Sequence, residues 1–196
     1  MTLRSLALLA TLCLAACSSA PTHYYTLVPT EPEKRQTVTA PAFQFEMLGV
    51  RMPLQVDQPQ MVVRQSGSGL MILETERWGA PLADEFHDAL AGQLELKLGT
   101  RNLAGLPKAT DKPVVSLQTD VRRFDSLPGQ YALIDVVWSL SQRSDGQKPR
   151  SLTCGSVIKV PAGVSMNALV QAHQKAIDQL ASQITHVTNN WSCLPH

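Results

Sequence analysis

The side chain with the clearest chemical instruction is the thiol of Cys17, which follows Leu14, Ala15 and Ala16 at the end of a short apolar run. Met1 to Arg4 forms a cationic head, and Leu6 to Leu14 is an apolar core too short to span a bilayer. The small residues Ala15 and Ala16 let an extended backbone sit in a peptidase cleft, so cleavage is expected between Ala16 and Cys17. A thiol at that position takes a diacylglycerol and becomes an acylated N-terminus. The competing reading is an ordinary secretory signal with a stray cysteine, since Cys13 lies in the same region without a role. An uncleaved membrane helix fits less well, because Pro21 and the polar residues after Cys17 end the apolar run. Two or three acyl chains, at roughly 0.8 kcal/mol per buried methylene, hold a protein to a membrane for practical purposes permanently.

Other reactive residue types do not fall into catalytic patterns. Ser156-Val157-Ile158-Lys159 is a literal S-x-x-K. It lies in an alternating apolar run that points Ser156 and Lys159 to opposite faces of a strand, whereas a lysine-activated serine should open a helix. Gly67-Ser68-Gly69 lacks the five-residue nucleophile elbow and suits a turn. His87 and His173 have no second histidine one helical turn away, and His23, His186 and His196 stand near segment ends, so solvated or satisfied core roles are expected. No phosphate-binding glycine loop is present. The expectation is a protein without catalytic residues, metal or cofactor.

Charge narrows the partners. The chain has 17 basic and 16 acidic side chains, and losing the first sixteen residues removes Arg4, which balances the mature protein. No basic footprint for nucleic acid exists, Lys34-Arg35 and Arg122-Arg123 being the adjacent basic pairs. The segment 1–16 then reads as a signal peptide, 17–22 as a lipidated tether, and 23–196 as one domain long enough to bury a core.

The elements that would position these residues follow from periodicity. His23 to Val28 is β-like and is followed by a loop through Pro29, Pro32, Glu33, Lys34 and Arg35; Phe43, Phe45 and Met47 then alternate until Gly49, where a phase shift predicts a bulge. Met61 to Arg64 and Gly69 to Trp78 form a hairpin across Gln65-Ser66-Gly67-Ser68-Gly69. Pro81 suits the first position of a helix, with Asp84 and Glu85 complementing its dipole and Leu82, Phe86, Leu90, Leu94 and Leu98 as its buried stripe. A three-strand meander is marked by turns at Leu127-Pro128-Gly129 and Ser144-Asp145-Gly146. Ser165 caps a second helix with the stripe Leu169, Ala176, Leu180, Ile184 and Val187. The fold class is α+β, a two-layer sandwich of a mainly antiparallel sheet with two helices packed on one face. Cys154 lies on the core face of the last strand and Cys193 follows the helix expected to pack there. A bridge stapling the tail and two unpaired cysteines both fit.

Met61 to Arg64, Leu70 to Glu76, the junction Arg77-Trp78-Gly79-Ala80-Pro81-Leu82, and Tyr24-Tyr25-Thr26-Leu27 after the acylation site together resemble the PqiC-like (YmbA-type) auxiliary lipoproteins of ABC-type and MCE intermembrane transport systems. The resemblance spans nearly the whole mature chain. Family members tend towards Arg-Trp-Ala-Glu-Pro-Leu at the junction, and this chain has Gly79-Ala80 in place of Ala-Glu. The resemblance implies a non-catalytic outer-membrane lipoprotein facing the periplasm. It would dock the periplasmic end of an MCE-domain tube protein, whose partner lies in the inner membrane, as a homo-oligomeric ring that supports envelope integrity. Tyr24, Tyr25, Arg77, Trp78 and Pro81 are then candidate partner contacts, or simply a junction locking strand to helix. Ser18, where such lipoproteins carry aspartate for inner-membrane retention, favours the outer membrane. The other class is a stand-alone ligand-binding or cell-wall-associated lipoprotein.

Overall fold

The computed structural model describes residues 20–30, 41–65 and 67–195. The signal peptide, its cleavage site, Cys17, Ser18, the loop through Pro32, Glu33, Lys34 and Arg35, Ser66 and His196 lie outside the described residues. Among the described residues, seven strands and two helices follow in the order β1 (His23–Tyr25), β2 (Gln44–Arg51), β3 (Gln60–Arg64), β4 (Leu70–Trp78), α1 (Leu82–Leu98), β5 (Val114–Leu127), β6 (Tyr131–Arg143), β7 (Arg150–Pro161) and α2 (Met166–Asn190). No helix among the described residues is long and apolar enough to cross a membrane.

The fold is α+β, and its strands divide into two sheets. The larger has the order β2-β5-β6-β7, the smaller β1-β4-β3. β5, β6 and β7 form the expected antiparallel meander, in which alternate residues are buried: Val115, Leu117 and Val121, then Ala132, Ile134, Val136, Trp138 and Leu140, then Cys154, Ile158 and Val160. Each sheet also takes one strand in parallel, β2 against β5 and β1 against β4. The register of β2 shifts between Met47 and Val50, so the change of apolar phase at Gly49 is a bulge.

Both helices present the four-residue stripes of the sequence to the larger sheet and to each other, with all ten stripe residues at or below 4 % exposure. The first helix begins one residue later than expected: Pro81 is its cap residue, in extended conformation and without a side-chain bond. Asp57 supplies the missing acceptor, its Oδ1 taking the Ala83 amide at 3.1 Å. Gly99, at φ 68°, ends that helix in the left-handed conformation that glycine adopts without penalty. Ser165 caps α2 through the Ala168 amide. Beyond α2 the tail turns back, with the Arg150 guanidinium 3.9 Å from the Trp191 ring centroid and the Cys154 and Cys193 sulfurs 1.98 Å apart, which is disulfide geometry.

Candidate functional site

The five junction residues named from the sequence meet in one corner. β1 lies beside the end of β4, pairing Tyr24 with Arg77 and Tyr25 with Trp78, and Pro81 caps α1 three residues later. Their environments differ. Trp78 is buried, edge-on to Phe124 at 6.1 Å between centroids, and Phe124 stacks on His173 at 4.0 Å. An indole so enclosed locks strand to helix and offers no contact surface. Tyr24 is 68 % exposed, its ring turned to solvent. Arg77 is half-buried, and its Nε donates to the Glu74 carbonyl at 3.2 Å.

Two carboxylates complete the corner, and neither stood out as a site residue in the sequence. Glu76 accepts the Tyr25 hydroxyl at 2.6 Å and faces His23 Nδ1 at 3.1 Å. The Tyr25 bond, with His23 beside it, holds the Glu76 carboxyl below its ordinary range. Burial, and next this same bond, push the Tyr25 hydroxyl up to about 12. Glu85 is nearly enclosed, and its Oε2 accepts both the Thr26 hydroxyl at 2.7 Å and the Leu27 amide at 2.8 Å. Its place in the first turn of α1 signalled only a dipole complement; the contact with residues almost sixty positions earlier had no local signature. Gly79 also has a reason to be small, because a Cβ there would stand 3.2 Å from Glu85 Oε1, while its amide donates to the Tyr25 carbonyl. Gln174 of α2 donates to the Thr26 carbonyl. The chain from His23 to Leu27 is thus gripped by β4, α1 and α2 together.

The remaining chemical candidates have structural partners. Ser156 faces the core, accepting from Trp138 Nε1 and donating to Gln183 Oε1, while Lys159 points outward over the Tyr131 ring. His173 is fully buried with Nε2 2.8 Å from Ser126 Oγ, and burial pushes its imidazole down to about 3, so it is neutral. His87 pairs with Asp88, and His186 contacts Asn190. Among the described residues no three histidine, cysteine or carboxylate side chains converge to hold a metal. What the corner does chemically is fix a chain segment in place.

Residues 25–185 match the family of ABC-type transport auxiliary lipoprotein components. No curated protein matches the chain by sequence. Among solved structures, an uncharacterized protein superposes with a TM-score of 0.65 at 15 % identity, over 86 % of this chain and 99 % of the other. Protein XCC0632 from Xanthomonas campestris superposes with a TM-score of 0.56 at 18 % identity, over 87 % of this chain and 100 % of the other. These likenesses concern the fold. The family match covers most of the chain, including the Tyr25 to Pro81 corner, α1 and most of α2, and the chain belongs to the ABC-type transport auxiliary lipoprotein components.

Proposed function

We propose that this protein is an outer-membrane lipoprotein, acylated on Cys17 and facing the periplasm, that docks the periplasmic end of an MCE-domain tube protein as a non-catalytic ring-forming subunit of an intermembrane lipid transport system. The observation that carries the reading is the grip on residues 23–27. A chain tethered by the six residues from Cys17 to Thr22 and then clamped by Glu76, Glu85 and Gln174 holds its domain at a set height above the membrane. A part that meets the tip of a tube needs that fixed height, whereas a diffusing ligand binder does not. The exposed Tyr24 ring is the side chain of this corner best placed to touch the partner.

The test is purification of the natively lipidated protein from envelopes. Co-elution of an MCE-domain protein, together with a mass of several copies of this chain, is the expected result. A monomer that brings no such protein with it would overturn the reading and favour the stand-alone lipoprotein. Replacement of Cys17 by serine should release the chain from the membrane fraction and abolish its function with its fold intact.

A further inference from the structure

Four arginines scattered through the sequence meet on one side of the molecule. Arg51 and Arg122 approach Asp120 at 3.6 and 3.1 Å, and Arg64 and Arg123 approach Asp125 at 2.8 and 2.5 Å. Two carboxylates thus face four guanidinium groups, and the cluster keeps a positive excess that the balanced composition conceals. Arg51, Arg122 and Arg123 remain open to water, their side chains 80, 57 and 47 % exposed.

Large apolar side chains stand among them. Pro53 borders both arginine pairs, sharing an open groove with Leu54, Arg51 and Arg122, and a hollow of about 30 Å³ with Leu70, Arg64 and Arg123. Leu54 is 89 % exposed on the loop between β2 and β3. Leu70, Met71 and Ile72, which open β4, are between 42 and 48 % exposed. Exposed apolar side chains standing among open cations mark a surface that something covers.

The direction of β1 indicates what that is. β1 runs parallel to β4 with His23 opposite Glu76, so the residues before His23 arrive from the side on which Leu70 lies. Cys17 precedes His23 by six residues, and Leu70 precedes Glu76 by six. Six residues span at most about 20 Å in either case. An acyl anchor on Cys17 therefore lies within reach of the end that carries Leu54, Leu70, Ile72 and the arginines.

We propose that this end rests on the anionic phospholipid surface of the membrane that holds the anchor. Arg51, Arg122 and Arg123 pair with lipid phosphates, for which a guanidinium fork is suited, and Leu54, Leu70 and Ile72 enter the headgroup layer. The tether confines the patch close to that surface and so strengthens contacts that the free protein already makes. The proposal rests on acylation of Cys17, and it adds which face of the domain looks down and which chemistry holds it there.

The test uses the full mature chain carrying Cys17→Ser, mixed with vesicles of phosphatidylethanolamine and phosphatidylglycerol, or of phosphatidylcholine alone. Co-sedimentation with the anionic vesicles only, weakening as salt rises, is the expected result. Arg51→Gln with Arg122→Gln should weaken it about twenty-fivefold, at roughly fivefold for each charge lost, and Leu54→Ser with Ile72→Ser should weaken it with the circular dichroism unchanged. Equal behaviour on the two vesicle types, or no effect of the folded variants, would overturn the proposal. Self-association that these variants abolish, without vesicle binding, would assign the patch to a second copy instead. Mass analysis of the native N-terminal peptide keeps the two ideas apart: an acylated peptide with no vesicle binding overturns the surface alone, and an unacylated one overturns the anchor and with it the orientation.

Discussion

Replacing Glu85 by alanine tests whether the grip on residues 23–27 is a clamp or a coincidence of packing. The carboxylate accepts from the Thr26 hydroxyl and from the amide of Leu27, a residue with no exposed surface. Each bond to a charged acceptor contributes about 1.5–3 kcal/mol, and the Leu27 amide, left buried and unpaired, costs about 1–3 kcal/mol. These overlap, since one lost bond and its orphaned amide are the same event, so about 3 kcal/mol is expected for the substitution. Native-state hydrogen exchange reads it directly: the Leu27 amide should exchange roughly a hundredfold faster in Glu85→Ala, and the Gly79 amide, bonded to the Tyr25 carbonyl, should follow. Amides in the β5-β6-β7 meander should keep their rates. Glu85→Gln retains an acceptor of the same shape and should lose about half as much. If Leu27 exchanges in Glu85→Ala as it does in the parent, the clamp does not exist and the reading of this corner fails.

Trp78→Ala removes a buried indole and should cost about 3–5 kcal/mol, seen as a lower unfolding midpoint; a variant of unchanged stability would contradict the structural role assigned to that ring. Cys193→Ser opens a loop of 39 residues and should lose about 4 kcal/mol by chain entropy, matched by adding reductant to the parent; alkylatable Cys154 in unreduced periplasmic material would contradict the bridge. The folded His173 titrates at about 3, below its unfolded value of 6.5, so between those limits the unfolded state binds the extra proton and stability falls as pH falls. From pH 7 to 5 the parent should lose up to about 2 kcal/mol in urea titrations, a slope absent from His173→Gln. Equal slopes would show that the imidazole is not held neutral. Glu76, held low by Tyr25, gives stability that is present above its unfolded range and lost only as pH falls further, outside that interval.

Local periodicity carried most of the fold and little of the site. The stripes of α1 and α2 and the alternation in β5, β6 and β7 are set by which residues must leave water, and that is written in neighbouring positions. His173 occupies the α2 stripe between Leu169 and Ala176, so its place was readable, while its neutrality follows from complete burial, in which Phe124 of another element stacks on the ring. Parallel pairing was not readable, because three residues of β1 meet three of β4 more than fifty positions away without a turn to announce them. The same distance hides Glu85, whose acidic character suits a helix start as well as a clamp. The arginine cluster is hidden by composition, since Arg51, Arg64 and the Arg122-Arg123 pair come from β2, β3 and β5 and meet only after those strands have packed.

The parallel sense of β1 has a mechanical meaning. A chain held by its N-terminus is pulled towards the Leu70 end of β4 whenever its attachment recedes from the domain. Force then runs along β1, and the three pairings from His23 to Tyr25 are loaded in shear together with the Glu85 bonds behind them. So short a strand can therefore serve as a tension-bearing splice, passing the movement of a flexing envelope to the helices without letting the N-terminal segment come loose.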